Sequence, residues 1–126
     1  MNNKNKINII GGGLAGCEAA YQISKLGINV DLYEMRPKTK TEAHNTGYLG
    51  ELVCSNSFRS DDKEFNAVGV LHEELRMSDS LIMKTADLNK VPAGSALAVD
   101  RDDFAKEINN IIKCNSKIKI INKEIK

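Results

Sequence analysis

The sequence predicts an α/β fold, a Rossmann-like domain with a parallel sheet, on three observations. A short apolar segment at residues 6–10 leads into a glycine turn with the spacing Gly-x-Gly-x-x-Gly. Residues 14–26 follow with apolar side chains at helical spacing. A second apolar segment at residues 28–33 then ends at the acid Glu34. Strand, glycine turn, helix and strand in this order are typical of a βαβ unit that binds a dinucleotide.

Each glycine of the turn has its own physical role. Without a Cβ, Gly11 can take the positive φ that a tight turn off the strand requires. Gly13 lets the backbone approach a pyrophosphate closely, and Gly16 lets the new helix lie against the strand. The first turn of that helix offers unpaired N–H groups to the anion. The alternative is a glycine turn in some other βαβ unit, which Gly27 at the helix end and Glu34 at the strand end disfavour.

Glu34 determines which dinucleotide we expect. An acid at the end of the second strand can accept hydrogen bonds from both ribose hydroxyls and repels a 2′-phosphate, which disfavours NADP against FAD or NAD. Seventeen residues lie between Gly16 and Glu34, a spacing common in FAD-binding βαβ units. Arg36 has two equally supported interpretations: contact with a phosphate, or a place at the surface.

A long insertion at residues 38–98 separates the second strand from the third. Insertions of this length in a compact fold tend to be functional. After Pro37 ends the strand, residues 38–50 are predicted as a loop, and residues 66–83 as one helix. That helix prediction rests on four apolar residues expected to face inward, with charged residues outside. The apolar residues are Val70, Leu71, Leu75 and Leu81, and the outer ones are Glu73, Glu74 and Arg76.

A helix and a third strand are predicted within residues 100–125. Asp100 suits a helix N-cap, with Asp103 as a variant of the capping box. Four side chains should face inward from this helix: Phe104, Ile108, Ile111 and Ile112. Because helices normally cover both faces of a parallel sheet, we expect residues 1–126 to be an incomplete, N-terminal portion of an FAD-binding domain whose βαβ unit spans residues 6–34.

Composition narrows the possible functions. The net charge of +1 gives no electrostatic reason for nucleic-acid or membrane binding within this stretch. No apolar run approaches the roughly 20 residues that span a bilayer, and residues 1–6 are too polar for a secretory signal. The three cysteines are odd in number and have no Cys-x-x-Cys spacing, which indicates reduced thiols and a cytoplasmic protein.

Cys54 is the thiol with the strongest case for chemistry. It lies in a hydroxyl-rich segment beside Ser55 and Ser57, with Arg59 nearby, and a neighbouring cation would lower its pKa. A buried, inert cysteine is an equally supported alternative. Cys17 lies in the first helical turn, where the helix dipole could lower a thiol pKa, but a structural role is favoured there.

The remaining polar residues give weaker signals. His44 and His72 lack metal-ligand spacing to another His, Cys or acid, so no metal site is expected. Arg101 either contacts a cofactor or lies at the surface. Cys114 ends a polar helix and has no predicted role.

Several segments together resemble the N-terminal part of a known family. They are residues 9–20, 31–37, 51–60, 66–69 and 91–101. The Glu-Met-Arg-Pro block that begins at Glu34 and the Glu-Leu-Val-Cys-Ser-Asn-Ser block around Cys54 are the most specific. The family is that of the folate- and FAD-dependent tRNA (uracil-5-)-methyltransferases, TrmFO, whose blocks differ from those of the related GidA (MnmG) flavoproteins. Three residues depart from the pattern common in members: Cys17, Tyr21 and Ser95.

The resemblance implies a chemistry and its cofactors. Members take a one-carbon unit from 5,10-methylenetetrahydrofolate, reduce it with FADH2 and place the methyl on C5 of a T-loop uridine in tRNA, and NAD(P)H recharges the flavin. Some members methylate ribosomal RNA instead. The RNA contacts are expected mostly outside this chain. A generic FAD or NAD oxidoreductase and an inactive nucleotide-binding fragment are the alternative functions.

The site residues follow from the motif and the resemblance together. Cys54 matches the cysteine of the family's Cys-Ser-Asn-Ser block, which implies a catalytic role beside the flavin. Cofactor contacts are expected from the glycine turn, the first helical turn, the end of the second strand and the helix start near residue 101. These residues are Gly11, Gly12, Gly13, Leu14, Ala15, Gly16, Glu34, Met35, Arg36 and Arg101.

Overall fold

The computed structural model describes residues 6–126. Residues 1–5, which belong to the polar segment that argues against a secretory signal, lie outside the described residues. The strands are β1 (Lys6–Ile10), β2 (Asn29–Glu34), β3 (Ser57–Ser60), β4 (Lys90–Val91), β5 (Ala96–Val99) and β6 (Ile118–Asn122). The helices are α1 (Leu14–Lys25), α2 (Ala67–Met77), α3 (Leu81–Leu88) and α4 (Arg101–Cys114).

A three-stranded parallel sheet forms the frame, in the order β1-β2-β6. Its central strand pairs Leu32 with Ile9 on one side and with Ile120 on the other. The third strand therefore lies beside the second, as in doubly wound folds. The prediction of a Rossmann-like α/β fold is confirmed. In the βαβ unit, α1 ends at Lys25 and Gly27 takes a φ of 77°, as the predicted helix stop requires.

The insertion forms a second, antiparallel sheet with the order β3-β5-β4. Its central strand β5 is a short apolar run, and three of its four side chains are buried. The pairing partners come from opposite ends of the insertion, since Ala98 lies opposite both Ser57 and Val91. The long insertion is thus a folded part of the domain with a sheet of its own.

The prediction of one helix over residues 66–83 is wrong. The chain forms two helices, α2 and α3, separated by Ser78–Ser80. Asp79 takes a φ of 54°, in the left-handed region, which breaks the helical backbone. Ser80 then begins α3, because its Oγ accepts a hydrogen bond from the N–H of Met83.

The predicted inner face of α2 is also wrong. Gly69 and His72 are the buried residues of this helix, and Arg76 is partly buried against Asp61. A Cβ on Gly69 would lie 2.1 Å from the carbonyl oxygen of Asp62, so only glycine allows this close approach. The close backbone contact and the ion pairs therefore set the orientation of α2, and its apolar residues face solvent: Val70, Leu71 and Leu75.

The core lies between the parallel sheet and the helices. Helix α4 buries Phe104, Ile108 and Ile112 completely, and Ile111 packs against them partly buried, as predicted. Asp100 caps this helix by accepting from the N–H groups of residues 102 and 103. The capping-box variant is not formed, because the Asp100 N–H donates to the carbonyl of Asn89.

A carboxylate joins α1 to α3. Glu18 accepts hydrogen bonds from Ser80 Oγ and from the N–H groups of Leu81 and Ile82, at 2.7 to 3.1 Å. It therefore satisfies donors at the start of α3 from another helix. Burial acts to raise the pKa of Glu18, but a hydrogen bond from the Gln22 side chain and the bonds from Ile82, Ser80 and Leu81 outweigh it and hold the pKa below its usual value.

Candidate functional site

The glycine turn has the geometry that its spacing predicts. Gly11 takes a φ of 101° and donates its N–H to the carbonyl of Tyr33 at 2.8 Å. A Cβ on Gly16 would lie 1.8 Å from the carbonyl oxygen of Gly11, so α1 can approach the turn only with glycine there. A Cβ on Gly13 would meet nothing within 4 Å. Gly13 thus borders open space, where a ligand can contact the backbone.

The N-terminus of α1 offers backbone donors. Gly13 is its N-cap and has no side chain to bind the first-turn N–H groups. The N–H groups of Leu14, Ala15 and Gly16 precede the first helical hydrogen bond, from Cys17 N to the carbonyl of Gly13 at 2.9 Å. These three donors, together with the positive end of the helix dipole, form an anion-binding position.

A cavity of about 350 Å³ lies at this position. It is formed at the carboxyl ends of all three parallel strands, which is where open α/β sheets bind nucleotides. Its walls include the glycine turn, the end of β2 with Met35, and the residues that follow β6. The lining residues of the last group are Lys123, Glu124 and Ile125.

Arg36 is buried, so the interpretation that it lies at the surface is wrong. Only 2% of the residue is exposed. Its Nε donates to Glu34 Oε1 at 2.8 Å and its Nη2 to Glu34 Oε2 at 3.3 Å. Its Nη1 donates to Glu51 Oε2 at 3.0 Å. One guanidinium therefore bridges two carboxylates from distant parts of the chain.

Glu34 accepts four hydrogen bonds within the protein. Besides the two side-chain bonds from Arg36, Oε1 accepts from the Arg36 N–H at 2.9 Å and Oε2 from the Gly12 N–H at 2.8 Å. Burial acts to raise the pKa of Glu34, but the bonds from Arg36 and Gly12 outweigh it and lower the pKa. Two carboxylates and one guanidinium give Glu34, Glu51 and Arg36 a summed charge of −1, which disfavours a 2′-phosphate.

Glu51 holds the loop that precedes it. Its Oε1 accepts from the N–H groups of Asn45 and Thr46 at 2.9 and 3.0 Å. Sequence reasoning missed Glu51 as a site residue, although it opens the block that contains Cys54. No local pattern in the sequence marks Glu51, because its partner Arg36 lies 15 residues away.

Cys54 is exposed, so the alternative of a buried cysteine is wrong. It lines a second cavity, of about 490 Å³, together with Gly13 and Leu14 of the glycine turn. The cation that contacts it is Arg101, whose Nη2 donates to the Cys54 carbonyl at 3.1 Å. Arg59, the cation expected from sequence, has an exposed side chain. The structure thus brings Cys54, Arg101 and the start of α1 into one region.

The other two cysteines differ from Cys54. Cys17 is completely buried and donates from Sγ to the carbonyl of Gly12 at 3.3 Å. Burial, with the nearby charge of Glu34, raises the pKa of this thiol to about 12. The burial of Cys17 agrees with the structural role favoured from sequence, and its pKa is raised, not lowered as a helix dipole would require. Cys114 is exposed at the end of α4.

The two histidines occupy different environments. His44 lines both cavities and bonds through Nδ1 to Thr41 Oγ1 at 2.8 Å. His72 is buried with Nδ1 2.9 Å from Asp61. Within residues 6–126, no group of three or more His, Cys, Asp or Glu side chains is placed to hold a metal ion. No helix in the same range is both long and apolar enough to cross a membrane.

Comparison with known proteins agrees with this geometry. The family model described as glucose inhibited division protein A matches residues 6–126. The chain belongs to this family. The crystal structure of Aquifex aeolicus GidA, form II, superposes with a TM-score of 0.73 at 16% identity, covering 97% of this chain and 20% of that one. At this identity the superposition shows a shared fold.

The chain is also similar to curated relatives named methylenetetrahydrofolate--tRNA-(uracil-5-)-methyltransferase TrmFO. The protein from Bartonella henselae is 64% identical over 119 residues, 94% of this chain and 25% of the relative. The protein from Jannaschia sp. is 56% identical over 125 residues, 99% of this chain and 27% of the relative. The resemblance stated from sequence is confirmed. The chain spans about a quarter of the length of these relatives.

Proposed function

We propose that the protein containing this chain is an FAD-dependent methylenetetrahydrofolate–tRNA (uracil-5-)-methyltransferase. It would form 5-methyluridine in the tRNA T-loop, with NAD(P)H as reductant, in the cytoplasm. The observation that carries the proposal is the 64% identity over 119 residues to a relative of that name. That identity spans both the glycine turn and the block around Cys54.

The residues of the first cavity fit FAD. The N–H groups at the start of α1 can bind the pyrophosphate, and the open space beside Gly13 leaves room for it. Glu34, at the end of β2, is placed to accept from ribose hydroxyls. Met35 and the residues after β6 line the part of the cavity farther along the strand ends. When bound, FAD supplies the electrons that reduce the one-carbon unit.

Cys54 is the proposed catalytic residue of this chain. Methylation at C5 of a pyrimidine generally needs a nucleophile on the ring or a base that removes the C5 proton. Cys54 lies in the cavity next to the glycine turn, so its exposed Sγ can reach a substrate held beside the cofactor. Arg101 fixes the backbone of Cys54 by its hydrogen bond to the carbonyl oxygen. Both residues keep the site roles that the sequence and the resemblance predict.

The proposed partner is tRNA, bound mostly by parts of the protein outside this chain. The net charge of +1 leaves residues 1–126 with little electrostatic attraction for a polyanion. In this proposal, residues 1–126 contribute the first half of the FAD site and the Cys54 thiol. Other parts of the protein make the contacts to the folate and to the RNA.

The experiment uses the protein expressed from the full reading frame. It is incubated with 5,10-methylenetetrahydrofolate, NADH and, in separate reactions, tRNA or ribosomal RNA transcribed without modified bases, and nucleosides are analysed by mass spectrometry. We expect 5-methyluridine in the T-loop. If 5-methyluridine forms on ribosomal RNA alone, the substrate is ribosomal RNA and not tRNA. Bound flavin with NADH oxidation but no methylated RNA of either kind would show a general oxidoreductase and refute the proposal.

A further inference from the structure

We propose that Glu51 is a positioning residue that couples the nucleotide-binding carboxylate Glu34 to the segment of Cys54, through the buried guanidinium of Arg36. The inference rests on the proposed function, because it assigns the nucleotide to the cavity beside Glu34. In this arrangement, nucleotide binding at the strand ends changes the environment of the thiol before any substrate is present.

The first link is the shared guanidinium. Arg36 uses Nε and Nη2 for Glu34 and Nη1 for Glu51. A guanidinium is a rigid planar fork, so a shift that improves one contact changes the other. All three side chains are at least nine-tenths buried, with exposures of 2, 6 and 8% for Arg36, Glu34 and Glu51. Solvent ions therefore screen their interaction weakly.

The second link is the response of Glu34 to a ribose. Its four hydrogen bonds already occupy the acceptor positions of a carboxylate. A ribose hydroxyl that donates to Glu34 must replace one of these donors. The longest bond, and thus the weakest, is the 3.3 Å contact of Arg36 Nη2 with Oε2. Its loss frees Arg36 to reorient toward Glu51.

The third link runs from Glu51 to Cys54. Glu51 lies three residues before Cys54 and is fixed by Arg36 on one oxygen and by two N–H groups on the other. Beyond Cys54, Asn56 is fixed to Val99 by its side-chain amide and its carbonyl. The thiol lies on a short irregular segment between these two anchors, with the Cys54 carbonyl also held by Arg101. Movement at Glu51 therefore changes the position of the thiol relative to the fixed points Arg101 and Asn56.

The cavities show the same connection. The cavity at the strand ends and the cavity of Cys54 share Gly13, His44 and Glu51 as lining residues. Glu51 is therefore part of the wall between them. A change in how Glu51 is held alters both cavities at once.

The test measures Cys54 alkylation in the full protein, with and without FAD. Iodoacetamide modification is followed by mass spectrometry of the peptide that contains Cys54. We expect FAD to change the alkylation rate by about fivefold or more. In Glu51→Gln the ratio of rates should fall to near one. Glu42→Gln is the matched control, because Glu42 is an exposed acid of the same loop and the charge change is identical; it should keep the full ratio.

A second variant separates coupling from charge. Arg36→Lys keeps the positive charge but lacks the fork that reaches both carboxylates. We expect it to lose the FAD-dependent ratio as Glu51→Gln does, and the double variant to lose no more than either single variant. Direct shielding of the thiol by FAD would leave the ratio intact in both variants and would overturn the inference. The inference would also be overturned if the two substitutions act independently, so that the change in the alkylation ratio of the double variant is the product of the two single-variant changes.

The outcomes distinguish this inference from the proposed function. A protein that binds FAD but methylates no RNA refutes the function, while the alkylation ratio still tests the coupling. If the protein binds no FAD, the alkylation rate is compared between flavin-free variants. In flavin-free protein, the alkylation rate of Cys54 should be about fivefold higher in Glu51→Gln than in Glu42→Gln, because one anchor of the Cys54 segment is released. Equal rates would mean that Glu51 does not position the thiol.

Discussion

The amide N–H of Gly50 donates to the carbonyl oxygen of Gly12, with 2.8 Å between N and O. The N–H of Gly12 in turn donates to Glu34 Oε2. A Cβ on Gly12 would lie 2.5 Å from Leu49 Cδ2 and 2.8 Å from Glu34 Oε2. Leu49 and Gly50 of the insertion are therefore packed directly against the glycine turn, and the Cys54 segment that follows them begins from a fixed point beside that turn.

Gly16→Ala and Gly13→Ala should separate folding from ligand binding. The Cβ of Gly16→Ala would meet the backbone carbonyl of Gly11 at 1.8 Å, so α1 must shift. We expect a destabilisation of about 1–3 kcal/mol together with loss of FAD. The Cβ of Gly13→Ala meets open space, so stability should fall by no more than about 1 kcal/mol, the cost of alanine at an N-cap.

Binding and unfolding are measured on the same samples, by flavin fluorescence titration and by urea unfolding. Gly13→Ala should fold normally and bind FAD at least about tenfold more weakly, because its methyl fills the space proposed for the pyrophosphate. Gly47→Ala serves as a control, since its Cβ makes an ordinary 3.5 Å contact with Pro37. FAD affinity unchanged in Gly13→Ala would place the pyrophosphate elsewhere.

Glu18→Gln should loosen the start of α3 in a pH-dependent way. The folded pKa of Glu18 is lowered, so its stabilising contribution is complete above the unfolded value of about 4.3 and is lost as pH falls through the folded pKa. At pH 7 the variant should lose about 1–3 kcal/mol of local stability. The amides of Leu81 and Ile82 should then exchange with deuterium about tenfold faster or more.

The comparison is made at pH 7 and again below pH 4, after correction for intrinsic exchange. The difference between Glu18→Gln and the unaltered protein should shrink as the pH falls through the lowered folded pKa of Glu18, because the carboxylate then becomes protonated. Glu74→Gln, an exposed acid on α2, should show no difference at these amides. A difference that persists undiminished in acid would mean that the charge of Glu18 is not what caps α3.

Local sequence signals predicted the βαβ unit, α4 and β6 because each of these elements is specified by its own residues. The apolar periodicity of residues 14–26, the N-cap at Asp100 and the glycine spacing act within one turn or one strand. The positive φ of Gly11 and the burial of Phe104 follow directly from them. Contacts across the fold were not needed for these elements.

The sequence-based predictions that are wrong concern residues whose structure depends on contacts with residues far away in the sequence. The apolar spacing of residues 66–83 predicts a single helix with its apolar residues inward, but the turn at Asp79 and the close approach of Asp62 to Gly69 decide otherwise for the α2 part. Leu81, at the start of α3, is buried as predicted. The local sequence leaves the place of Arg36 open between a phosphate contact and the surface, and its burial depends on pairing with both Glu34 and Glu51, the latter 15 residues away. Partners at this separation carry no periodic signal in a single sequence.

The three thiols should react in a fixed order. Cys54 and Cys114 are exposed, whereas Cys17 is completely buried with its pKa raised to about 12. At pH 8 iodoacetamide should therefore modify Cys54 and Cys114 while Cys17 stays unmodified until the protein unfolds. Mass spectrometry of the peptides gives the order. Modification of Cys17 as fast as that of Cys114 in the native protein would show that α1 opens readily.

Cys54→Ala should retain FAD and lose methylation. The Arg101 hydrogen bond goes to the backbone carbonyl of Cys54, so alanine preserves it and the cofactor cavity stays intact. Only the Sγ is removed from the second cavity. If this thiol acts on the uracil ring or its C5 proton, 5-methyluridine formation should fall by at least about 10²-fold. The measurement is methyl transfer to unmodified tRNA at matched flavin content. Cys114→Ala, which removes the other exposed thiol, should keep full activity. Normal turnover by Cys54→Ala would assign the thiol a structural role.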